Sequence, residues 1–356
     1  MSKLRVHIVY EHSLDRRPFG SAYLRLLRPF SHPTVTTAIE AQASWDYSGE
    51  AADLVIVDRF WRPDVSLRLA EELVQRVRRA GARLVYTLDD DLLSLPVGPP
   101  NGIAPQQVAA VKYFLGCADA VWVTTAPLGE RIQPYNDRVE VLANALDERL
   151  IAVRSPSTSI DTFDPTRLVI GYMGTPTHTG DLAMILPALQ RVFRRHAGRL
   201  VMQLVGVTSQ PEMLSAAGIP VRIVAPQAVE GEYPRFMLWF TSALHWDIAL
   251  APLAETLFNQ SKSAIKALDY AALGATGVYS NAPAYRDVVH QRETGLLAGS
   301  PAEWEEALEI LIADAALRTA LSHAAARNLW EQHVLERCGQ RWVDAAARAA
   351  GRRQPV

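Results

Sequence analysis

Short apolar runs rich in β-branched residues recur along this chain, and each is followed by a stretch with amphipathic-helix spacing. That alternation limits the fold more than any other feature. Residues 4–10 (LRVHIVY) open the series, and 53–58, 83–88 and 119–124 continue it. Runs so nearly continuous in Val, Leu and Ile are the mark of strands buried on both faces. Between them, residues 65–80 set Leu67, Leu69, Leu73, Val74 and Val77 in one stripe against Glu71, Glu72, Arg76 and Arg78. Strand alternating with helix predicts right-handed βαβ units and a parallel sheet. A last short run, 139–142, closes this half near Asn144.

Residues 151–166 lose all periodicity and carry linker chemistry, including RSPSTS at 154–159 and Asp164-Pro165. The alternation restarts at Arg167, with strands predicted at 168–172, 200–205, 221–224, 247–250 and 277–280. Beyond Pro301 the pattern is helical, and 328–350 is long enough to cross back to the first half. The expectation is an α/β chain of two Rossmann-like, doubly wound domains facing a cleft. They span 1–150 and 167–330, joined by the 151–166 linker, with a returning helix at about 331–350. The 356 residues suffice for two cores.

The formal net charge of −2 gives no reason to expect nucleic acid as a partner. Cys117 and Cys338 are too far apart for a metal-ligand pair and read as reduced, buried thiols. The first ten residues enter a strand pattern with no secretory apolar region, and no apolar run reaches bilayer length. The reading is a cytoplasmic protein with at most peripheral contact at an inner membrane surface.

In open α/β sheets, ligands sit outside the carboxyl ends of the strands, beside helix N-termini. Two such ends in the second half carry unusual residues. The first is 171–181 (GYMGTPTHTGD), where Gly174 permits close backbone approach and Thr175 and its neighbours can face an anion. A tight strand-to-helix turn explains the glycines equally well. The second is 258–274 (FNQSKSAIKALDYAALG), which reads as a helix from near Ser261 to Gly274. Lys262, Lys266 and Asp269 then share one face by the i, i+4, i+7 rule. Their charges run against the helix dipole, a conflict that a phosphate at the helix start would remove.

This stretch, followed by 277–285 (GVYSNAPAY) and 293–297 (ETGLL), resembles the C-terminal domain of GT-B fold glycosyltransferases. Glycosyltransferase family 4, the glycosyl transferases group 1, is the nearest pattern. Residues 170–175, 246–253 and 304–327 fit the same domain, and 86–91 and 141–147 are similar to that family's first-domain loops. The resemblance implies a hexosyltransferase-like, retaining enzyme. It would hold a nucleotide-diphosphate sugar in the C-terminal domain and a saccharide or glycolipid acceptor in the N-terminal one. It would need neither metal nor cofactor and would serve polysaccharide or glycoconjugate assembly. It implies further that Asp269 meets the donor ribose and that Lys262 and Ser263 lie against the diphosphate. Ser261 stands where the family's first motif Glu belongs, and the family's Arg and Lys are missing from 174–181, so Lys262 and Lys266 carry the cationic load.

Asp90, in the Asp89-Asp90-Asp91 run after a strand, is a candidate to polarise the acceptor hydroxyl. A helix cap, a hydrated loop or a divalent-metal motif are the alternatives. His178 is a candidate for a sugar hydrogen bond, with an incidental loop histidine as the bland reading. Gly20 and Ser21 match the flexible glycine loop of the first βα connection, and Arg25 and Arg28 follow on the next helix as acceptor-side candidates. Trp122, Trp239 and Trp246 read as core. A diphosphate leaving group needs cations and amides more than a proton donor, so electrostatic stabilisation can supply most of the catalysis. A sugar-nucleotide epimerase and a non-catalytic nucleotide-sugar-binding scaffold are the competing readings.

Overall fold

Two parallel sheets of six strands each organise the chain. The computed structural model describes residues 2–98, 102–152, 166–174, 179–206, 211–228 and 231–352. Most of the expected linker, 153–165, lies outside them, as do Thr175 and His178. The first sheet contains β1 (Leu4–Val9), β2 (Ile39–Ser44), β3 (Leu54–Asp58), β4 (Arg83–Leu88), β5 (Ala120–Val123) and β6 (Val139–Val141), ordered β2-β1-β3-β4-β5-β6. The second contains β7 (Leu168–Met173), β8 (Leu200–Val205), β9 (Val221–Val224), β10 (Ile248–Ala251), β11 (Thr276–Ser280) and β12 (Leu296–Ala298), ordered β12-β11-β10-β7-β8-β9. All pairings between these strands are parallel.

In each sheet the chain reverses its direction of travel once. After β2 it returns to the other side of β1 to make β3, and after β9 it returns to the other side of β7 to make β10. The loops leaving the two strands at such a switch diverge, which opens a crevice at their carboxyl ends. This places residues after β1 and β3 at the first crevice, and residues after β7 and β10 at the second.

Compact unit 1 comprises Met1–Glu148, Gln260–Ser263 and Val334–Val356; unit 2 comprises Arg149–Asn259 and Ala264–His333. The returning segment is not the single helix that the sequence suggests. The Ala315–Gln332 helix stops before Val334, and the chain resumes as Leu335–Cys338 and Gln340–Ala349. The break serves a junction: Leu335 N–H donates to the Leu146 carbonyl at 2.9 Å, and Glu336 N–H donates to Glu148 at 3.2 Å. His32 Nε2 lies 2.7 Å from the same Glu148, and Arg28 lies 2.5 Å from Asp147. Trp342, Ala345 and Ala346 then pack on Leu4, Val6, Leu54 and Trp122 in the first core. Burying a tryptophan of this size contributes roughly 2–3 kcal/mol. Among the described residues, no helix is long and apolar enough to cross a membrane.

The second core contains Ile170, Leu204, Leu250 and Trp304 on one side of its sheet. On the other side, Trp246 stands across Gly171 of β7. A Cβ at Gly171 would fall 1.8 Å from the indole, so only glycine fits beneath the ring. Trp246 Nε1 donates to Gln203 Oε1 at 2.5 Å, which satisfies the one polar atom of the buried indole.

Candidate functional site

At the first switch point, strands that are mostly apolar finish in or are followed by charged residues. Glu11 follows β1, Asp58 and Arg59 end and follow β3, and Asp89 and Asp90 follow β4. Arg59 binds this group together. Its guanidinium lies 2.8 Å from Glu11 Oε2 and 3.2 Å from Asp90 Oδ2, and Nη1 donates to Asp89. Its backbone is held as firmly: the Arg59 N–H donates to Thr87, and the Tyr86 hydroxyl donates to the Arg59 carbonyl at 2.7 Å. Arg59 adopts φ of 44°, a left-handed conformation that a non-glycine residue keeps only when its surroundings enforce it.

The electrostatics follow from burial. Glu11 is pushed above the ordinary carboxylate range by burial, with Arg59 opposing. Asp58 is pushed up by burial and then by Glu11 and Asp89, and one of its oxygens accepts the Glu11 N–H at 3.2 Å. Burial would raise the Asp90 carboxyl too, but Lys262 and then Arg59 more than offset it, and the net shift is downward. The site thus holds one carboxylate kept ionised beside two whose proton affinity is high.

Lys262 reaches this cluster from the four-residue excursion Gln260–Ser263, and its Nζ lies 3.1 Å from Asp90 Oδ1. The same segment is fastened on either side of the lysine. The Thr125 hydroxyl donates to the Ser261 carbonyl at 2.8 Å, and Asn144 Nδ2 donates to Ser263 Oγ at 3.0 Å. The helix expected from near Ser261 therefore starts later, at Ile265, with Ala264 as its cap; it ends as expected at Gly274, whose φ is 76°. Lys262 does not share a helix face with Lys266 and Asp269. The physical reason is competition: Ser261, Lys262 and Ser263 bond to Thr125, Asp90 and Asn144 instead of closing a first helical turn. The charge order that looked adverse to a helix dipole was, for Lys262, not on a helix.

Arg25 is also placed differently from an exposed acceptor-side arginine. It is 1% exposed, inside a π-helical turn (Tyr23–Leu27). Its Nη1 donates to the Leu142 carbonyl and to Asn144 Oδ1 at 3.1 Å, and burial lowers the guanidinium to about 10. Arg25 orients the asparagine that holds Ser263, so its contribution to the site is indirect. Gly20 begins the helical turn Gly20–Ala22, with Gly20 exposed and Ser21 half-buried. The adjoining Phe19 N–H donates to the Glu11 carbonyl at 3.1 Å, which ties this turn to the acidic cluster.

The three consecutive aspartates do not converge on one point. Asp89 and Asp90 bond to Arg59, whereas Asp91 turns to Arg131 at 3.1 Å and to the Ser94 hydroxyl. Arg59 lies between Asp89 and Asp90, and Lys262 adds a second cation at Asp90. His32, Asp147 and Glu148 place ligand-type atoms within 4.8 Å of one another. Arg28 neutralises Asp147 there and Glu148 holds a backbone amide, so the trio works as the clasp of the returning segment.

In unit 2, the second switch point brings together the end of β7, the loop after β10 and the Ile265–Leu273 helix. Gly174 is buried, and Gly206, with φ of 84°, packs so close that a Cβ there would lie 2.1 Å from the Gly174 carbonyl. Asp181 Oδ1 accepts the Ala254 N–H at 2.8 Å and Asn259 Nδ2 at 3.4 Å, which fixes the loop leading to Lys262. The Tyr270 hydroxyl donates to the Leu250 carbonyl at 2.7 Å and anchors the helix to the sheet. Lys266 Nζ lies 5.0 Å from the centre of the Tyr172 ring, a cation–π distance. Asp269 is 6% exposed, and among the described residues its buried Oδ1 has no hydrogen-bond partner. Burial pushes its carboxyl up to about 7, with Lys266 opposing.

Of the residues singled out from the sequence, the structure gathers Lys262, Ser263 and Asp90 in unit 1, with Arg25 behind them. Gly174, Lys266 and Asp269 lie in unit 2. Glu11, Asp58 and Arg59 join the site without a motif of their own in the sequence. Their signal was present: a charged residue that ends an otherwise apolar strand run sits where open sheets bind ligands.

The sequence matches no protein-family model and no curated protein. The fold has many solved counterparts. HepE (Alr3699) from Anabaena, solved with UDP-glucose, superposes with a TM-score of 0.66 at 12% identity, over 97% of this chain and 100% of that one. Sucrose-phosphate synthase from Thermosynechococcus elongatus gives 0.69 at 10% identity, over 97% and 99%. A glycosyltransferase from Rickettsia africae gives 0.63 at 10% identity, over 98% and 99%. The chain has the two-domain α/β fold of GT-B glycosyltransferases.

Proposed function

We propose that the protein transfers a sugar from a nucleotide-diphosphate sugar to a hydroxyl of a saccharide or glycolipid acceptor. The reading extends the family 4 resemblance: a retaining hexosyl transfer without metal or cofactor, in polysaccharide or glycoconjugate assembly at the cytoplasmic side of a membrane. The observation that carries it is Asp269. A carboxylate buried beside Lys266, with an oxygen that lacks a hydrogen-bond partner among the described residues, is costly to the folded chain. A ribose hydroxyl is the donor that such an oxygen suits, and the fold is one in which HepE binds UDP-glucose.

In this reading Asp269 receives the ribose, Lys262 and Ser263 take the diphosphate, and Lys266 adds positive charge near it. Gly174, with Thr175 and His178 beyond it, belongs to the donor loop; Gly20 and Ser21 belong to the acceptor loop. Asp90 polarises the acceptor hydroxyl. The bond from the sugar's anomeric carbon to the diphosphate oxygen breaks, and its electron pair leaves with the nucleotide. The acceptor oxygen bonds to that carbon and gives its proton to Asp90. Most of the rate enhancement comes from cationic stabilisation of the departing diphosphate. Calorimetry with UDP, and with inorganic pyrophosphate as a ribose-free control, tests the carrying observation. Asp269→Asn should weaken UDP about tenfold or more and pyrophosphate little. Equal affinity of the variant and the wild type for UDP would remove the assignment.

A further inference from the structure

Asp90 divides its two oxygens between two cations that are held differently. Oδ2 faces Arg59 at 3.2 Å and Oδ1 faces Lys262 at 3.1 Å. Arg59 is held at several points: its backbone is bonded to Thr87 and Tyr86, and its guanidinium is shared with Glu11 and Asp89. Lys262 carries its charge at the end of a flexible four-carbon stem, on a backbone that is itself fastened at Ser261 and Ser263. The two cations thus differ in what a competing anion could do. It could draw Lys262 away, whereas Arg59 would keep Asp90 in position.

We propose that Asp90 is a displaceable counter-ion of Lys262, so that the donor's diphosphate takes the lysine and thereby opens Asp90 Oδ1 to the acceptor hydroxyl. The inference rests on the reading above, and it adds a coupling: the carboxylate that receives the acceptor's proton becomes available only when the leaving group has its cation. A diphosphate has more charge and more acceptor oxygens than a carboxylate, so it is the stronger partner for one ammonium. The remaining charges favour the same sequence of events. Glu11, Asp58, Asp89 and Asp90 are arranged around Arg59, with Arg25 nearby. Losing Lys262 from such a group raises the proton affinity of what remains, because the carboxylates then outnumber the cations further. Asp90 becomes a better base at the stage when a base is required.

The experiment is calorimetric titration of inorganic pyrophosphate into the wild type, Asp90→Asn, Lys262→Ala and the double variant, each checked for folding by circular dichroism. Displacement predicts that Asp90→Asn binds pyrophosphate about fivefold tighter or more, because the internal competitor is gone. It predicts also that the gain vanishes in the Lys262→Ala background. Asp90→Ser serves in place of Asp90→Asn if the latter does not fold. Unchanged or weaker binding by the Asp90 variants, with Lys262→Ala still impaired, would overturn displacement and leave Lys262 as the diphosphate ligand. Unchanged binding by Lys262→Ala would overturn the diphosphate assignment itself, and displacement with it.

Discussion

Lys262 Nζ lies 3.1 Å from Asp90 Oδ1 although 172 residues separate the two in sequence. The pair has a consequence for stability as well as for ligand binding. Each side chain is about one-fifth exposed, which places the pair between a surface and a buried salt bridge. Removing the lysine leaves Asp90 to Arg59 alone, so Lys262→Ala should lower stability. A double-mutant cycle of Lys262→Ala and Asp90→Asn, read by urea unfolding, should give a coupling energy of about 1 kcal/mol. A coupling near zero would mean that the contact holds nothing together.

Asp269 predicts a pH dependence with a definite sign. Burial raises its carboxyl from the ordinary 3.8 to about 7. Between roughly pH 4 and pH 7 the folded protein keeps a proton that the unfolded chain has released. Stability from this group is therefore fully present at acid pH and is lost as pH rises through about 7. Asp269→Asn carries no charge at either end. Its Tm should exceed that of the wild type at pH 8, and the margin should shrink as pH falls and vanish only at about pH 4, the ordinary range of the carboxyl. A variant no more stable than the wild type at pH 8 would show that Asp269 is not held in a costly ionised state.

How much could be read from the residues depends on where their partners lie. Strands such as β3 and β5 are legible because they are buried on both faces and consist almost wholly of apolar residues. The edge strand β2 was not, since Ile39 alone is fully buried and Glu40 beside it is exposed. Short β12 was equally silent. Gly274 ended its helix as expected, a local matter of left-handed backbone. The start of that helix is not legible locally, because Thr125, Asp90 and Asn144, which claim residues 261–263, are more than a hundred residues distant. Arg25 escaped for the same reason: its partners Leu142 and Asn144 are 117 and 119 residues away.

Asp89 and Asp90 bear on metal dependence. Arg59 lies between them, and Lys262 bonds to the second. Sugar transfer or donor hydrolysis should accordingly persist in excess EDTA, with less than a twofold change in kcat/KM. Complete loss that manganese restores would make these aspartates metal ligands and would overturn the assigned roles of both cations.

A protein with the proposed activity breaks the bond between a sugar and a nucleoside diphosphate. The direct measurement is release of nucleoside diphosphate from UDP-, GDP-, dTDP- and ADP-sugars, each incubated with the protein and a mixture of saccharide and glycolipid acceptors. The sugar products are resolved in parallel by mass spectrometry and NMR. At least one donor should release its nucleoside diphosphate with the sugar recovered on an acceptor, and Lys262→Ala should lower kcat/KM about ten- to a hundredfold. Recovery of an isomerised nucleotide sugar with no diphosphate released, or turnover indifferent to Lys262→Ala, would contradict this reading.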